Sequence, residues 1–492
     1  MRQTIRFIRK GKMVELADID PTAMLLDYLR EVEGAKGTKE GCGEGDCGAC
    51  TVAVGRLRDG RLVYEPVNAC IQLLGQIDGA EIVTVEDLAD PESGKLHPVQ
   101  AAMVERHASQ CGFCTPGFVM SLFTLYQSVE RGTVDREQVT DWLAGNLCRC
   151  TGYRPIVDAA LDACARPRHD RFAANAVDTA GLLSFLADND DIFIGDSDRF
   201  FASPASVEGV ADLYEQHPDA TIVAGATDVG LWITKQLRDL PKVIHIGRAR
   251  GLDHVADTGY EIMIGATATY AVVEPFLRAI DPDLGELIRR LGSKQVRASG
   301  TVGGNVANGS PIGDMPPALI ALNATVELRK GKRVRSLPLE DFFIDYGKQN
   351  RERGELVTGL LVPKLTDGQI FRCYKVSKRF DQDISSIMGA FRFTIDKDGK
   401  ITDARIAYGG MAATPRRAKR AEAALKGALL RDSRAWAQAF SSLRDDFSPI
   451  DDHRASARYR TETAHALLGK ALIEAAGTGS GRTRVVGRRE VA

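Results

Sequence analysis

Polar and apolar residues alternate over 4–9 and again over 13–16, with the turn Lys10-Gly11-Lys12 between them. Apolar residues then recur at helical spacing over 24–31. A period of two reads as a strand and a period near 3.6 as a helix, so the chain opens with a hairpin and a helix, the start of a β-grasp domain. Strands predicted over 51–54, over 62–65 beyond Asp59-Gly60, and over 81–85 fill out that sheet. From residue 97 the pattern changes to helical stripes over 97–109, 116–129, 136–144 and 154–165, with short connections that suggest a small four-helix bundle. Residues 166–190 mix charge, alanine and polar side chains with weak periodicity and read, in their first half, as a linker crossing the surface.

Farther on, short apolar strands over 221–224, 243–246, 261–264 and 325–328 alternate with helical segments and glycine-rich turns, an α+β pattern. A second α+β unit starts near 371, with a hairpin of 390–395 and 401–408 around Asp398-Gly399 and alanine-rich helices up to about 474. The Gly, Ser and Arg-rich residues after Gly477 read as a mobile tail. The expected organisation is a multidomain α+β chain: a β-grasp domain at 1–80, a helical domain at 81–167, a linker at 168–195, α+β domains at 196–368 and 369–476, and the tail at 477–492.

Lys and Arg (64) nearly balance Asp and Glu (66), and no block of like charge stands out, which argues against nucleic acid as a partner. No signal-peptide core opens the chain and no run approaches a membrane span, so the expectation is a soluble cytoplasmic protein. Cytosolic thiols stay reduced, so the ten cysteines point to metal ligation rather than to a disulfide framework. Cys42, Cys47, Cys50, Cys70, Cys111, Cys114, Cys148 and Cys150 form two sets of four. Cys164 and Cys373 stand apart and read as small buried apolar residues.

The first set lies in GCGEGDCGAC, a Cys-x4-Cys-x2-Cys run with Cys70 as the fourth member, the spacing of a plant-type 2Fe-2S ferredoxin. Glycines 41, 43, 45 and 48 would let the loop wrap a cluster with its amides aimed at the sulfurs. A structural zinc site is the competing reading. The second set, Cys111-x2-Cys114 with Cys148-x-Cys150, places each pair before a predicted helix whose first turn holds a proline, so that two helix N-termini would face an anionic cluster. Taken alone, it could equally hold zinc.

The runs GTKEGCGEGDCGACTV, QCGFCTPGFVMS and GNLCRCTGYRPI resemble the signature stretches of the molybdenum hydroxylases, a family that includes xanthine dehydrogenase, aldehyde oxidase and carbon monoxide dehydrogenase. This resemblance implies a β-grasp 2Fe-2S ferredoxin domain, a four-helix-bundle 2Fe-2S domain, an α+β FAD-binding domain and an α+β C-terminal flavoprotein domain. It implies that Cys42, Cys47, Cys50 and Cys70 hold the cluster nearer the flavin. Cys111, Cys114, Cys148 and Cys150 would hold the one nearer the molybdenum cofactor, with Gln110 and Cys150 facing the pterin of a partner subunit.

TIVAGATDVGLW, residues 221–232, reads as a strand, a glycine turn and a helix start able to cradle a pyrophosphate. It does not fit G-x-G-x-x-G, and a plain turn is the rival reading. SGTVGGNVANGSPIGDMPP, residues 299–317, concentrates Gly, Asn and Ser with Asp314, and two such loops favour a dinucleotide. Both runs resemble the FAD domain of the same family. The implied flavin contacts are Ile222, Val223, Ala224, Gly225, Ala226, Thr227, Asp228, Val229, Thr301, Gly303, Gly304, Asn305, Asp314, Val357 and Lys375. Where relatives place an aromatic ring on the flavin, this chain has Leu291. Tyr346 matches a tyrosine near the nicotinamide site. SKRFDQDIS, residues 377–385, resembles a charged loop over the flavin, with Phe380 and Gln382 at charged positions; a solvated hairpin is the alternative.

By this resemblance electrons run from molybdenum through the second and then the first cluster to FAD and NAD, and no residue of the chain need act as a general base. The molybdenum domain is expected on a large partner subunit, in an assembly of two small and two large subunits, since both cluster domains fused to a flavin domain resemble the small subunit of bacterial members. Xanthine or hypoxanthine is the expected substrate. An aldehyde or another heterocycle, or oxygen as acceptor, stays open. Outside the family, a self-contained flavin and ferredoxin reductase lacks a visible NAD fold, and a zinc-bearing scaffold is the non-enzyme reading.

Overall fold

The computed structural model describes residues 1–129, 134–165 and 170–478. The expected tail therefore lies outside the described residues from 479 onward, as do 168–169 of the expected linker. The chain divides into two compact units, Met1–Arg250 with Gly292–Gly300, and Gly251–Leu291 with Thr301–Ala492. The division falls inside the α+β segment expected over 196–368.

In the first unit, strands β1 (Thr4–Arg9), β2 (Lys12–Ala17), β3 (Thr51–Arg58), β4 (Arg61–Asn68) and β5 (Glu81–Val83) form a sheet in the order β2-β1-β5-β3-β4. β1 pairs parallel with β5, while its hairpin with β2 is antiparallel from Thr4↔Ala17 to Arg9↔Lys12. This is the mixed sheet of a β-grasp fold. Alternation sends Ile5 and Phe7 inward against Leu25, Leu29, Val52 and Ile82. The helix expected over 24–31 is one turn, Leu25–Asp27, loosened into a wider turn at Tyr28–Val32.

Four helices follow: α1 (Pro98–Glu105), α2 (Thr115–Ser128), α3 (Arg136–Leu143) and α4 (Arg154–Ala165). Each begins where the sequence supplies a stop or a cap. His97 Nδ1 accepts from the Val99 amide and Gln100 reaches back to the His97 amide, and Asp135 caps α3 through the Gln138 amide. Phe118, Phe123, Tyr126, Val139, Ile156 and Ala160 make their common core. The segment read as a linker is instead largely ordered into helices Arg171–Ala174 and Ala176–Leu186, the second packing Leu183 and Leu186 against Ile8. Its other face exposes Val177, Leu182 and Phe185, and apolar residues on both faces blur the periodicity that would have revealed it.

A second sheet of this unit orders Ile192–Gly195, Phe200–Ser203, Lys242–His245 and Thr221–Val223, the last three parallel. Its Phe201, Val223 and Val243 share one core with Ile71, Leu74 and Ile77 of the β-grasp domain.

The second unit contains an antiparallel five-stranded sheet, Val255–Asp257, Glu261–Gly265, Leu356–Pro363, Thr325–Lys330 and Arg333–Pro338 in that order. A four-stranded antiparallel sheet, Gln369–Val376, Ile387–Ile395, Ile401–Gly409 and Arg416–Arg417, packs on the long helix Ala457–Ala476 through Phe391, Tyr408, Ala464 and Leu468. Ser456 caps that helix and Gly477, in the left-handed region, ends it. Among the described residues no helix is long and apolar enough to cross a membrane.

Candidate functional site: two cysteine sets and the flavin-type loops

The loop between the short helical turns and β3 wraps back on itself around Cys42. Its Sγ accepts from the amides of Glu44 at 3.4 Å and of Asp46 and Cys47 at 3.3 Å. The Cys42 thiol lies beside those of Cys47 and Cys70, and Cys70 lies beside Cys50. Hydrogen bonds from Cys47 and Cys70, with the loop amides, hold Cys42 far below the ordinary thiol range and push its two neighbours up. Three of the four loop glycines take left-handed conformations; Gly41 does not, and is needed for space, because a Cβ there would sit 2.6 Å from Cys47 Sγ. Asn68, buried, donates to the Gly45 carbonyl at 2.7 Å and lies 3.9 Å from Cys50 Sγ. Sequence reasoning missed it, because an Asn at a strand end reads as an ordinary turn residue.

The second set forms where two helices start. Cys114 precedes α2, and the turn Thr151 to Tyr153 precedes α4. Cys111 and Cys150 sulfurs are 3.6 Å apart, Cys148 and Cys150 are 3.8 Å apart, and Cys114 lies beside Cys148. Burial opposes ionisation of Cys148, but the Thr151 hydroxyl and the amides of Cys150 and Thr151 outweigh it and bring the thiol to about 6. Burial and the Cys148 thiol push Cys114 up to about 12. Among the described residues no group of three His, Cys, Asp or Glu side chains is arranged for a single metal ion. The cysteines instead form two open chains of neighbouring sulfurs, 47-42-70-50 and 111-150-148-114, a donor set that fits a two-iron cluster with its own bridging sulfides. Gln110, Cys111, Phe113, Leu147 and Tyr153 are exposed around the second set.

One backbone hydrogen bond joins the two sets. The Leu147 amide, next to Cys148, donates to the Cys47 carbonyl at 3.0 Å. Gly48 permits this approach, since a Cβ there would lie 2.2 Å from the Gly145 carbonyl.

In the first unit Ile222 and Val223 end a parallel strand, Ala224 to Asp228 form the turn, and Val229 opens the helix Val229–Thr234. Ala226 takes a left-handed φ of 59°, a strained position for a residue with a side chain. Gln76 of the β-grasp domain donates to the Ala224 carbonyl at 2.7 Å, and Gly230 lies so close to Ile71, the neighbour of Cys70, that a Cβ would meet its carbonyl at 2.7 Å. The first flavin-type run therefore abuts the first cysteine set.

In the second unit Thr301 caps the helix Val302–Asn308, its hydroxyl accepting from Gly304 at 3.1 Å, and Gly303 and Asn305 lie on that helix. Nearby, buried Thr267 Oγ1, Thr269 Oγ1 and Asn305 Oδ1 lack hydrogen-bond partners among the described residues. Buried polar atoms are nearly always satisfied, so these three fit a polar ligand such as a dinucleotide. Asp314 is held by Lys375 at 2.6 Å and by the Ser385 hydroxyl at 2.5 Å, and Lys375 also donates to the Arg290 carbonyl. Val357 is buried on the five-stranded sheet and Leu291 packs half-buried against the core. Loop 377–385 is pinned rather than loosely solvated: Phe380 lies under the guanidiniums of Arg289 and Arg290, and Arg290 donates to the carbonyls of Lys375 and Phe380. Tyr346 is exposed on the hairpin of Phe343–Asp345 and Lys348–Gln349.

Two four-cysteine sets, the first abutted by the glycine turn at 224–228, are the makings of an iron–sulfur flavoprotein. Four family models match: a 2Fe-2S iron-sulfur cluster binding domain over residues 7–71, a [2Fe-2S] binding domain over 84–161, a FAD binding domain in molybdopterin dehydrogenase over 197–365, and a CO dehydrogenase flavoprotein C-terminal domain over 372–475. Xanthine dehydrogenase of Emericella nidulans is 29% identical over 90% of this chain and 36% of its own length, and xanthine dehydrogenase/oxidase of Mus musculus is 31% identical over 87% and 35%. A chain of the reconstituted CO dehydrogenase from Oligotropha carboxidovorans superposes with a TM-score of 0.53 at 27% identity, covering 58% of this chain and all of that one. A CO dehydrogenase chain from Hydrogenophaga pseudoflava gives 0.53 at 28%, covering 56% and 96%. The chain belongs to the molybdenum hydroxylase family of oxidoreductases and carries its 2Fe-2S and FAD-binding domains. It spans about a third of the length of the curated relatives it matches.

Proposed function

We propose that the chain is the electron-transfer subunit of a xanthine dehydrogenase, the small subunit of a bacterial-type assembly of two small and two large chains. In this reading Cys42, Cys47, Cys50 and Cys70 hold one 2Fe-2S cluster and Cys111, Cys114, Cys148 and Cys150 the other. FAD is contacted by the residues from Ile222 to Val229 and by Thr301, Gly303, Gly304, Asn305, Asp314, Val357 and Lys375. The observation that carries the reading is a continuous line of contacts within the first unit. The second set meets the first through Leu147 and Cys47, and the β-grasp segment that follows Cys70 meets the run at 221–232 through Gln76 and Ala224 and through Ile71 and Gly230.

When bound, the clusters supply one-electron steps and the flavin exchanges single electrons for a pair that NAD accepts. The chain's own residues position and insulate. Amides of Glu44, Asp46 and Cys47 aim positive dipoles at Cys42, and Thr151 does the same for Cys148. Asp314 balances the charge of Lys375 within a buried patch, leaving a near-neutral wall. The exposed apolar rim of Phe113, Leu147 and Tyr153 around the second set suits a large subunit holding the molybdopterin cofactor. Tyr346, which by family resemblance matches a tyrosine near the nicotinamide site, is exposed. Thiol ligands in the two cysteine sets suit a reducing, cytoplasmic compartment.

The test is anaerobic reduction of the complex purified through this chain. Xanthine should bleach the cluster and flavin absorbance, and NAD should restore it. Bleaching by an aldehyde or another heterocycle alone, or restoration by oxygen alone, would reassign the substrate or the acceptor. No bleaching by any of them would refute the electron-transfer role.

A further inference from the structure

Gln295 lies on the short helix Lys294–Ser299, which Ser293 caps, and is buried at 1% exposure. Its Nε2 contacts Asn146 Oδ1 at 3.0 Å, Thr51 Oγ1 at 3.1 Å and Ser121 Oγ at 3.2 Å. Each of these three groups belongs to a segment that carries cluster ligands. Thr51 follows Cys50, Ser121 sits on α2 behind Cys114, and Asn146 precedes Leu147 and Cys148.

The proton inventory fixes the direction of these bonds. The Thr51 hydroxyl donates to the Gly48 carbonyl at 2.7 Å and the Ser121 hydroxyl donates to Asn146 Oδ1 at 2.7 Å, so both hydroxyl protons are committed. The Asn146 amide donates to the Gly48 carbonyl at 3.1 Å. Three acceptors therefore face Gln295 Nε2, whose two N–H groups they share; Asn146 Oδ1 also accepts from Ser121 and Thr51 Oγ1 lies 3.4 Å from Asn146 Nδ2, so the amide acts as a donor that ties the three together. The other end of the amide, Oε1, is buried against Gly145, where a Cβ would be 2.0 Å away, and has no hydrogen-bond partner among the described residues. The network thus clamps Gly48 to Asn146, on both sides of the Cys47 carbonyl and Leu147 amide contact.

We propose that Gln295 is a positioning residue for electron exchange between the two cysteine sets, acting by donating to Thr51, Ser121 and Asn146 and so fixing the Cys47 to Leu147 hydrogen bond. This rests on the reading that each set holds a 2Fe-2S cluster. In the exchange one set's cluster loses one electron and the other's gains it, with no bond made or broken and no proton moved. Gln295 acts through Thr51, Ser121 and Asn146 rather than as a ligand; it sets the separation and the connecting bond.

The experiment compares the purified holoprotein with Gln295→Met, Gln295→Glu and Ser121→Ala variants. Iron per chain is measured first, then the magnetic splitting between the two reduced clusters in low-temperature EPR, and the rate of electron redistribution after partial reduction. With iron retained, Gln295→Met should diminish the splitting and slow redistribution by about tenfold to a hundredfold, the scale expected when a positioned partner shifts by up to an ångström. Gln295→Glu should do more, because a carboxylate would face three acceptors, and Ser121→Ala should do less in the same direction. Full iron with unchanged splitting and rate in Gln295→Met would overturn the proposal. So would loss of iron in both Gln295→Met and Ser121→Ala, which would make the network an assembly device. A wild-type protein without iron would refute the underlying cluster reading itself and the positioning role with it.

Discussion

Lys375 and Asp314 form a buried ion pair at 2.6 Å, with side chains 3% and 9% exposed. Removing one partner strands the other charge, a loss of about 3–5 kcal/mol, whereas removing both charges leaves far less to penalise. Lys375→Met and Asp314→Asn should each lower the apparent melting temperature of the second unit by roughly 6–20 °C, at about 2–4 °C per kcal/mol for a unit of this size. The double variant should recover a large part, with a coupling energy of about 2 kcal/mol. FAD retention after gel filtration supplies the second readout. If both side chains are flavin contacts, the double variant regains stability but not flavin. Recovery of both would show that the pair serves only the fold and would refute the assignment of Asp314 and Lys375 as flavin contacts. Additive losses in the double variant would refute the argument from stranded charge.

Other consequences are equally direct. Gly48→Ala combines a left-handed φ of 69° with the near contact to Gly145, so it should cost about 2 kcal/mol or more in thermal stability and lower the iron content; unchanged melting would contradict the close approach. Gly230→Val should press on Ile71 and loosen the flavin run, seen as FAD loss with iron intact. Cys42→Ser should leave about two irons per chain and one of the two EPR signals, and loss of all iron would show that the sets do not assemble separately. Burial, helped by the charges of Arg56 and Arg248, lowers His245 to about 3, below its unfolded value near 6.5. Its stabilising contribution is therefore present above pH 6.5 and is lost as pH falls toward 3. His245→Gln should flatten the fall in stability between pH 6.5 and 5.5 by about 1 kcal/mol, measured by thermal melts.

The cysteine sets were legible in part because much of their spacing is local: Cys42, Cys47 and Cys50 share one loop and each pair of the second set is tight, with prolines marking the helices behind it, whereas the approach of Cys70 to the first loop and of the two pairs to each other is long-range. The β-grasp hairpin and the four helices were legible from periodicity for the same reason. What escaped was either long-range or two-faced. Gln295 meets residues 51, 121 and 146 across most of the first unit, and nothing in its own neighbourhood distinguishes it from a surface glutamine. Helix Ala176–Leu186 buries one apolar face and exposes another, which removed the signal that separates a helix from a linker. Phe380 looked like a lost charge, yet it brings its own partners by lying beneath Arg289 and Arg290.

The most direct test of the central claim is the metal and flavin content of protein purified through this chain. About four irons and one FAD per chain are predicted, with 2Fe-2S spectra and with molybdenum present only when a large subunit co-purifies. Zinc in place of iron, or a protein without flavin, would contradict the account.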